Sequence, residues 1–189
     1  MIRAGTEADA PAVARLHATE IGEGFLSSLG PPFLARLYRR IVRHPASLLV
    51  VADDGGAVVG FAAATERTGA LYRSFLVRDG LAAAAAAPRL VSSGRRLLET
   101  LSYPRHAGPG GDAELLAVAV AAHARGRGLG RSLVEGAVTQ LVGRGSGSVR
   151  VVTASDNRPA LALYAACGFR PAGSLDLHRG VTSQVLRWR

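Results

Sequence analysis

This sequence predicts a single α/β domain whose mixed, mostly antiparallel sheet is flanked by helices, and three observations carry that expectation. Two amphipathic helical patterns lead into a hairpin pattern in the first third of the chain. From residue 114 the pattern becomes strand, helix, strand, helix, and the chain closes on a second hairpin. At 189 residues, with no internal repeat and no boundary signal, the chain suits one core, so residues 1–189 are taken as one domain.

The first helix starts after Thr6-Glu7-Ala8-Asp9, where Thr6 or Asp9 can cap free amides and Pro11 suits the first turn. Val13, Leu16 and Ile21 supply its apolar stripe, and Gly22, Gly24, Gly30, Pro31 and Pro32 then break the chain. Phe33, Leu34, Leu37, Tyr38, Ile41 and Val42 recur at helical spacing, with Arg36, Arg39, Arg40 and Arg43 read as a solvated opposite face. Residues 47–52 and 57–65 read as strands joined by the Asp53-Asp54-Gly55-Gly56 turn. A helical insert at about 70–111 follows. Its helix covers roughly 70–101, with interruptions near Gly80 and Pro88, and it ends in a Gly/Pro-rich loop, 104–111, expected to be mobile. Residues 114–120 form an almost wholly apolar run, as a strand covered on both faces would. Leu129, Leu133, Val134, Ala137, Val138 and Leu141 mark a helix, residues 149–153 a second buried strand, and 159–167 a short helix closed by Gly168. Residues 174–177 and 183–188 read as the terminal hairpin.

Composition excludes several classes. With 48% apolar and 20% charged residues the chain is not of the disordered type. Its one cysteine, Cys167, excludes a disulfide-stapled domain. No apolar run approaches the ~18 residues of a membrane span, and Glu7 and Asp9 interrupt any signal-like N-terminus. A cytoplasmic setting is expected. The +9 net charge comes from 23 basic residues, all arginine. A nucleic-acid surface would cluster arginines with exposed aromatics; aromatics are 5% and the arginines are dispersed, so no nucleic-acid partner is expected. The histidines are scattered without metal-ligand spacing, so no metal is expected.

The chemistry concentrates in Arg125-Gly126-Arg127-Gly128-Leu129-Gly130-Arg131-Ser132, between an apolar strand and an amphipathic helix. Alternating glycines allow a tight turn and close backbone approach. The amides they expose lie at a helix N-terminus, where the dipole favours an anion. The loop therefore suits a phosphate or a pyrophosphate. Spacing excludes a P-loop, because Gly126 to Gly130 leaves three residues where four are needed and Arg131 stands in place of lysine. It also excludes a dinucleotide fingerprint, whose third glycine position holds Arg131.

What fits is Arg-x-x-Gly-x-Gly at Arg125, Gly128 and Gly130, followed by Asn157-Arg158-Pro159-Ala160-Leu161-Ala162-Leu163-Tyr164 and Cys167-Gly168-Phe169. Together these resemble the coenzyme A loop and the Asn-x-x-Ala-x-x-x-Tyr…Gly-Phe motif of the GNAT N-acetyltransferases, and the likeness, with a β-α-α-β-β opening, spans essentially the whole chain. The resemblance implies the GNAT fold, acyl-coenzyme A (acetyl-CoA) as cosubstrate, and transfer of an acyl group to a primary amine of a small molecule, a peptide N-terminus or a lysine. The alternative is a non-catalytic acyl-CoA-binding module of the same fold.

It further implies that backbone groups of Val118 and Val120 pair with pantetheine, with Ala119 at a bulge. Residues 125–132 (Arg125, Gly126, Arg127, Gly128, Leu129, Gly130, Arg131 and Ser132) would hold pyrophosphate. Asn157 would contact amide groups or cap its helix. Tyr164 matches the general acid that protonates the leaving thiolate; a phenol is still protonated at neutral pH. Glu114 matches the strand glutamate that serves as general base, with an exposed strand-start carboxylate as the other reading. Acceptor walls are expected from Glu20, Glu23, Phe25, Tyr72, Tyr103 and His178. A monomer or homodimer is expected.

Overall fold

The computed structural model describes residues 1–21, 25–86, 113–178 and 181–189. Pro88, Tyr103, Glu23 and the loop at 104–111 lie outside the described residues. In chain order the elements are β1 (Ile2–Ala4), α1 (Ala10–Glu20), α2 (Phe25–Ser28), α3 (Pro31–Arg43), β2 (Ser47–Asp54), β3 (Ala57–Thr65) and α4 (Thr68–Ala86). They continue with β4 (Ala113–Val120), α5 (Leu129–Gly143), β5 (Val149–Ala154), α6 (Arg158–Ala166), β6 (Arg170–His178) and β7 (Val181–Trp188). The strands form one sheet in the order β1-β2-β3-β4-β5-β7-β6, antiparallel throughout except between β4 and β5.

One face of the sheet packs α1, α3 and α4 around Phe33, Leu34, Leu37, Tyr38, Phe61, Leu71 and Phe75. The other packs α5 and α6 around Leu115, Leu133, Val134, Ala137, Leu141, Val149 and Val151. α5 lies close to the sheet because residue 60 is glycine: a Cβ there would stand 3.0 Å from Leu133 and 3.2 Å from the Ala119 carbonyl. At the N-terminus the Asp9 carboxylate accepts from the Thr6 amide and hydroxyl, each at 2.8 Å, and from Arg3.

Three expectations are corrected. α4 runs through Gly80 without a break, since a single glycine weakens a helix without ending it. The α3 arginines are not one solvated face. Arg40 is 7% exposed and its Nε donates to Asp79 of α4 at 2.6 Å, while Arg43 pairs with Glu7. The bulge in β4 falls at Leu116 and not at Ala119. Ala63 pairs with Ala117 and Ala64 with Leu115, so Leu116 is the extra residue, whereas Ala119 pairs regularly with Phe61.

His17 of α1 is buried (6% exposed), its ring stacks 6.2 Å from Phe61, and its Nδ1 shares a 2.6 Å hydrogen bond with the Tyr38 hydroxyl. Burial pulls its pKa from 6.5 down to about 4. Between those values the unfolded chain binds the proton and the folded chain does not. Stability is therefore complete above about pH 6.5 and falls as pH drops toward 4, by on the order of 3 kcal/mol from this group. Denaturant midpoints measured between pH 7 and 4 check this. His17→Phe lowers stability at pH 7, because the Tyr38 hydroxyl loses its partner, and it flattens the acid limb; an unchanged limb would assign that limb to other groups.

Candidate active site

β4 pairs with β5 only over Ala113–Val149, Glu114–Arg150 and Leu115–Val151, after which the two strands part. The separation begins where Leu116 bulges. A bulge bends its strand and shifts the phase of the ladder. Beyond it, the bond from the Ala121 amide to the Val59 carbonyl (2.8 Å) fixes which residues of β4 bond to β3. In an antiparallel ladder bonded and non-bonded pairs alternate. Ala119–Phe61 is therefore a bonded pair, while Val118–Ala62 and Val120–Gly60 are not. The backbone N–H and C=O of Val118 and Val120 point away from β3, into the gap that β5 has left.

A cavity of about 560 Å³ fills that gap, within the usual range for a small-molecule site. It gathers Val118, Val120, Arg125, Gly126, Gly128, Leu129, Gly130, Arg131, Asn157 and Tyr164 from the residues expected on sequence, and Glu20 from the expected acceptor wall. Ala119, Pro159, Ala160 and Leu163 also line it. The last three share a helix face with Asn157 and Tyr164, and their 3–4 spacing could have revealed them. Arg127, Ser132 and Glu114 are not among the lining residues. The Ser132 hydroxyl instead donates to the Gly128 carbonyl at 3.3 Å.

Gly128 caps α5 in the left-handed conformation (φ 76, ψ 0), which suits glycine and leaves the first-turn amides of α5 facing the cavity mouth. Each loop arginine has an acidic partner. Arg125 binds Glu20 and also donates Nε to the Val120 carbonyl at 3.2 Å; Arg127 binds Asp54 at 2.8 Å; Arg131 binds Glu135 one turn along α5 at 2.7 Å. The Arg127 and Arg131 pairs are about half exposed and so weak. Their guanidiniums remain available to an anion, and the donor set of amides and guanidiniums suits a pyrophosphate.

Tyr164 is 6% exposed, packs its ring 5.7 Å from Phe169, and reaches the cavity from α6. Burial pushes its phenol up to about 12, so the hydroxyl is loaded with its proton at neutral pH. Asn157 caps α6, its Oδ1 accepting from the Ala160 amide at 3.2 Å. Glu114 is 7% exposed, so the reading of an exposed strand-start carboxylate is corrected. Its Oε2 accepts from Arg150 at 2.7 Å and from the Thr68 hydroxyl at 2.9 Å, with both charged side chains buried. Tyr72 is half-buried against the α1–α3 core, and the side chains of Phe25 and His178 are outside the described set. Cys167 lies off the cavity lining, and burial pushes its thiol up, away from nucleophilic thiolate. Among the described residues no cluster of His, Cys, Asp and Glu could hold a metal, and no helix is long and apolar enough to cross a membrane.

The chain is similar to two curated mycothiol acetyltransferases. That of Nocardioides is 45% identical over 73 residues, 38% of this chain and 24% of that protein; that of Pseudarthrobacter chlorophenolicus is 37% identical over 82 residues, 42% and 25% respectively. The matched stretch thus spans about a quarter of those relatives. Among solved structures, the ribosomal-protein-alanine N-acetyltransferase of Brucella melitensis superposes with a TM-score of 0.67 at 20% identity, covering 100% of this chain and 98% of that one. The phosphinothricin acetyltransferase of Sinorhizobium meliloti, solved with AcCoA, gives 0.65 at 19%, covering 100% and 86%. These share the GNAT fold. The model of the acetyltransferase (GNAT) family matches residues 13–169, most of the chain, and the chain belongs to that family.

Proposed function

We propose that this protein transfers an acyl group, acetyl in the first instance, from acyl-coenzyme A to a primary amine of a small molecule or peptide. The observation that carries the reading is the gap beside β4. Backbone groups of Val118 and Val120 that β3 does not pair face it, the Val120 carbonyl already holding Arg125, and it ends at a glycine–arginine helix N-terminus. A pantetheine arm laid in the gap satisfies the β4 groups as a strand would, and the pyrophosphate meets the amides of residues 126–130. The names of the relatives support the reaction type: the curated pair are mycothiol acetyltransferases, and the structural neighbours are a ribosomal-protein-alanine N-acetyltransferase and a phosphinothricin acetyltransferase.

In this reading the Val120 amide hydrogen-bonds the thioester carbonyl oxygen and stabilises the charge that builds there. The ammonium first releases one proton to solvent; the neutral nitrogen then forms its bond to the acyl carbon, and the carbon–sulfur bond breaks with its electron pair on sulfur. Tyr164 then gives its phenolic proton to that sulfur, and the second proton released by the nitrogen returns to the tyrosinate through solvent. Holding amine and thioester together supplies most of the rate. Glu114 we read as a brace between β4, β5 and α4, with the general-base role as its rival.

Four variants test these roles. Tyr164→Phe lowers kcat by about 100-fold while calorimetric coenzyme A affinity holds; unchanged turnover removes the acid role. Glu114→Gln leaves Arg150 buried without its counter-charge and costs about 3–5 kcal/mol in thermal or denaturant unfolding, with the acidic limb of kcat/KM retained; loss of that limb would make Glu114 the base. Alanine at positions 128 and 130 separates loop conformation from loop bulk. Gly128→Ala meets no neighbour within 4 Å but must hold φ +76, so it costs about 1–2 kcal/mol and weakens coenzyme A binding. Gly130→Ala stands 3.4 Å from Leu163 in ordinary contact, so it gains about 0.5–1 kcal/mol of helix stability while its methyl, added to the cavity wall, weakens coenzyme A binding by bulk alone. An acceptor screen reading thiol release with acetyl-CoA tests the function itself, and silence despite coenzyme A binding would favour the non-catalytic module.

A further inference from the structure

We propose that Glu20 is a shared counter-ion that makes amine binding depend on cofactor binding. The inference rests on the acyl-CoA reading above. Of the three carboxylates that hold the loop arginines, Asp54 and Glu135 are about half exposed, whereas the Glu20 side chain is 11% exposed and belongs to the cavity wall. It accepts from the Ala122 amide at 3.1 Å and from the Arg125 guanidinium, whose Nε at the same time donates to the Val120 carbonyl. One guanidinium therefore bridges the α1 carboxylate and the β4 residue whose amide faces the gap.

Glu20 is the last residue of α1. A helix C-terminus carries partial negative charge and disfavours a carboxylate unless a cation stands beside it. In this structure Arg125 is that cation. A pyrophosphate at the loop competes with Glu20 for Arg125 and presents more charge to it. Once an Arg125 nitrogen exchanges the carboxylate for the anion, Glu20 is a largely buried carboxylate in the wall of the same cavity that keeps the Ala122 amide but has lost its ion-pair partner. An ammonium group is the partner that restores the balance, and it is the form in which a primary amine arrives at neutral pH. Cofactor and amine therefore bind cooperatively, and linkage makes the coupling reciprocal. Glu20 holds the amine and is not assigned its proton.

The test uses the full chain, coenzyme A, and methylammonium chloride as the amine probe, with tetramethylammonium chloride at equal concentration as the salt control. Calorimetry gives the coenzyme A affinity. For wild type, methylammonium tightens coenzyme A binding relative to the control. Glu20→Gln, nearly isosteric, binds coenzyme A about fivefold more tightly, the worth of one partly exposed ion pair, because the competitor for Arg125 is gone, and methylammonium no longer matters. Glu20→Asp, too short to reach both Arg125 and the Ala122 amide, falls between and serves if the glutamine variant does not fold. Unchanged or weaker coenzyme A binding in the folded variant, or a methylammonium effect that is absent in wild type or survives in the variant, overturns the proposal. Absence of coenzyme A binding to wild type overturns the acyl-CoA reading as well.

Discussion

Strands β4 and β5 start out paired and then separate, and the other parts of the site are arranged around that separation. Three parallel pairs at Ala113, Glu114 and Leu115 hold the strands together, and the extra residue Leu116 turns β4 away at the next position. Buried backbone donors and acceptors need partners. A strand that leaves its neighbour while still enclosed by helices must therefore find another acceptor and donor row. Val118 and Val120 present such a row toward the cavity. Because β4 and β5 run parallel, the chain leaves both at the same end of the sheet, and α5 and α6 begin there. That places two helix N-termini and their exposed amides at the gap, as parallel sheets do wherever adjacent strands lead to helices at a switch point.

The separation is stable because each strand is held on its other side. β4 runs alongside β3 from Glu114 to Val120, and β5 pairs with β7 from Val149 to Ala154. Where the two strands still touch, the buried Glu114–Arg150 pair ties them, and Thr68 extends the tie to α4. A buried ion pair contributes little net stability against an apolar replacement, but it is costly to break by halves. It sits at the middle of the three pairs, one residue before the last, and so holds together the short segment from which the strands part. The fold's charge pairing and its opening are thus adjacent by construction.

How much of this the sequence revealed follows from what each signal measures. Strand β3 was legible to the residue and the hairpin before it to within two, β2 running on through Asp53 and Asp54 to a turn at Gly55-Gly56, since a turn signal between apolar runs is local chemistry. Tyr164 and most of the loop line the cavity as expected, because the motifs that mark them are short-range spacings. The Leu116 bulge was not: β4 is apolar on both faces after Glu114, so a one-residue slip leaves no trace in its hydrophobic pattern. β6 begins at Arg170, four residues earlier than expected, because Pro171 and Gly173 look like breakers. At the sheet edge a proline without a donor is tolerated, and the register irregularity there absorbs both. β1, at three residues, is too short to show a period. The partners of the arginines were hidden for a different reason. With 23 arginines and 14 acids, composition leaves the pairing open, and only the fold brings Arg125 to Glu20 or Arg40 to Asp79.

That pairing places part of the arginine complement, and the +9 excess lies in the other arginines, since an ion pair adds no net charge. A basic surface that tracks a polyanion keeps its cations free, whereas here Arg3, Arg40, Arg43, Arg125, Arg127, Arg131 and Arg150 all hold carboxylates. Guanidinium is suited to this double duty. It offers five donors in a rigid plane, so Arg125 can hold a backbone carbonyl with one nitrogen and exchange carboxylate for phosphate with another while its side chain keeps its place. A lysine ammonium, a point charge on a flexible stem, would have to leave one partner to meet the next. In a chain without lysine, the positive charge at the loop mouth is therefore positioned in advance by the acids that neutralise it, and an arriving anion meets guanidiniums already held at the rim.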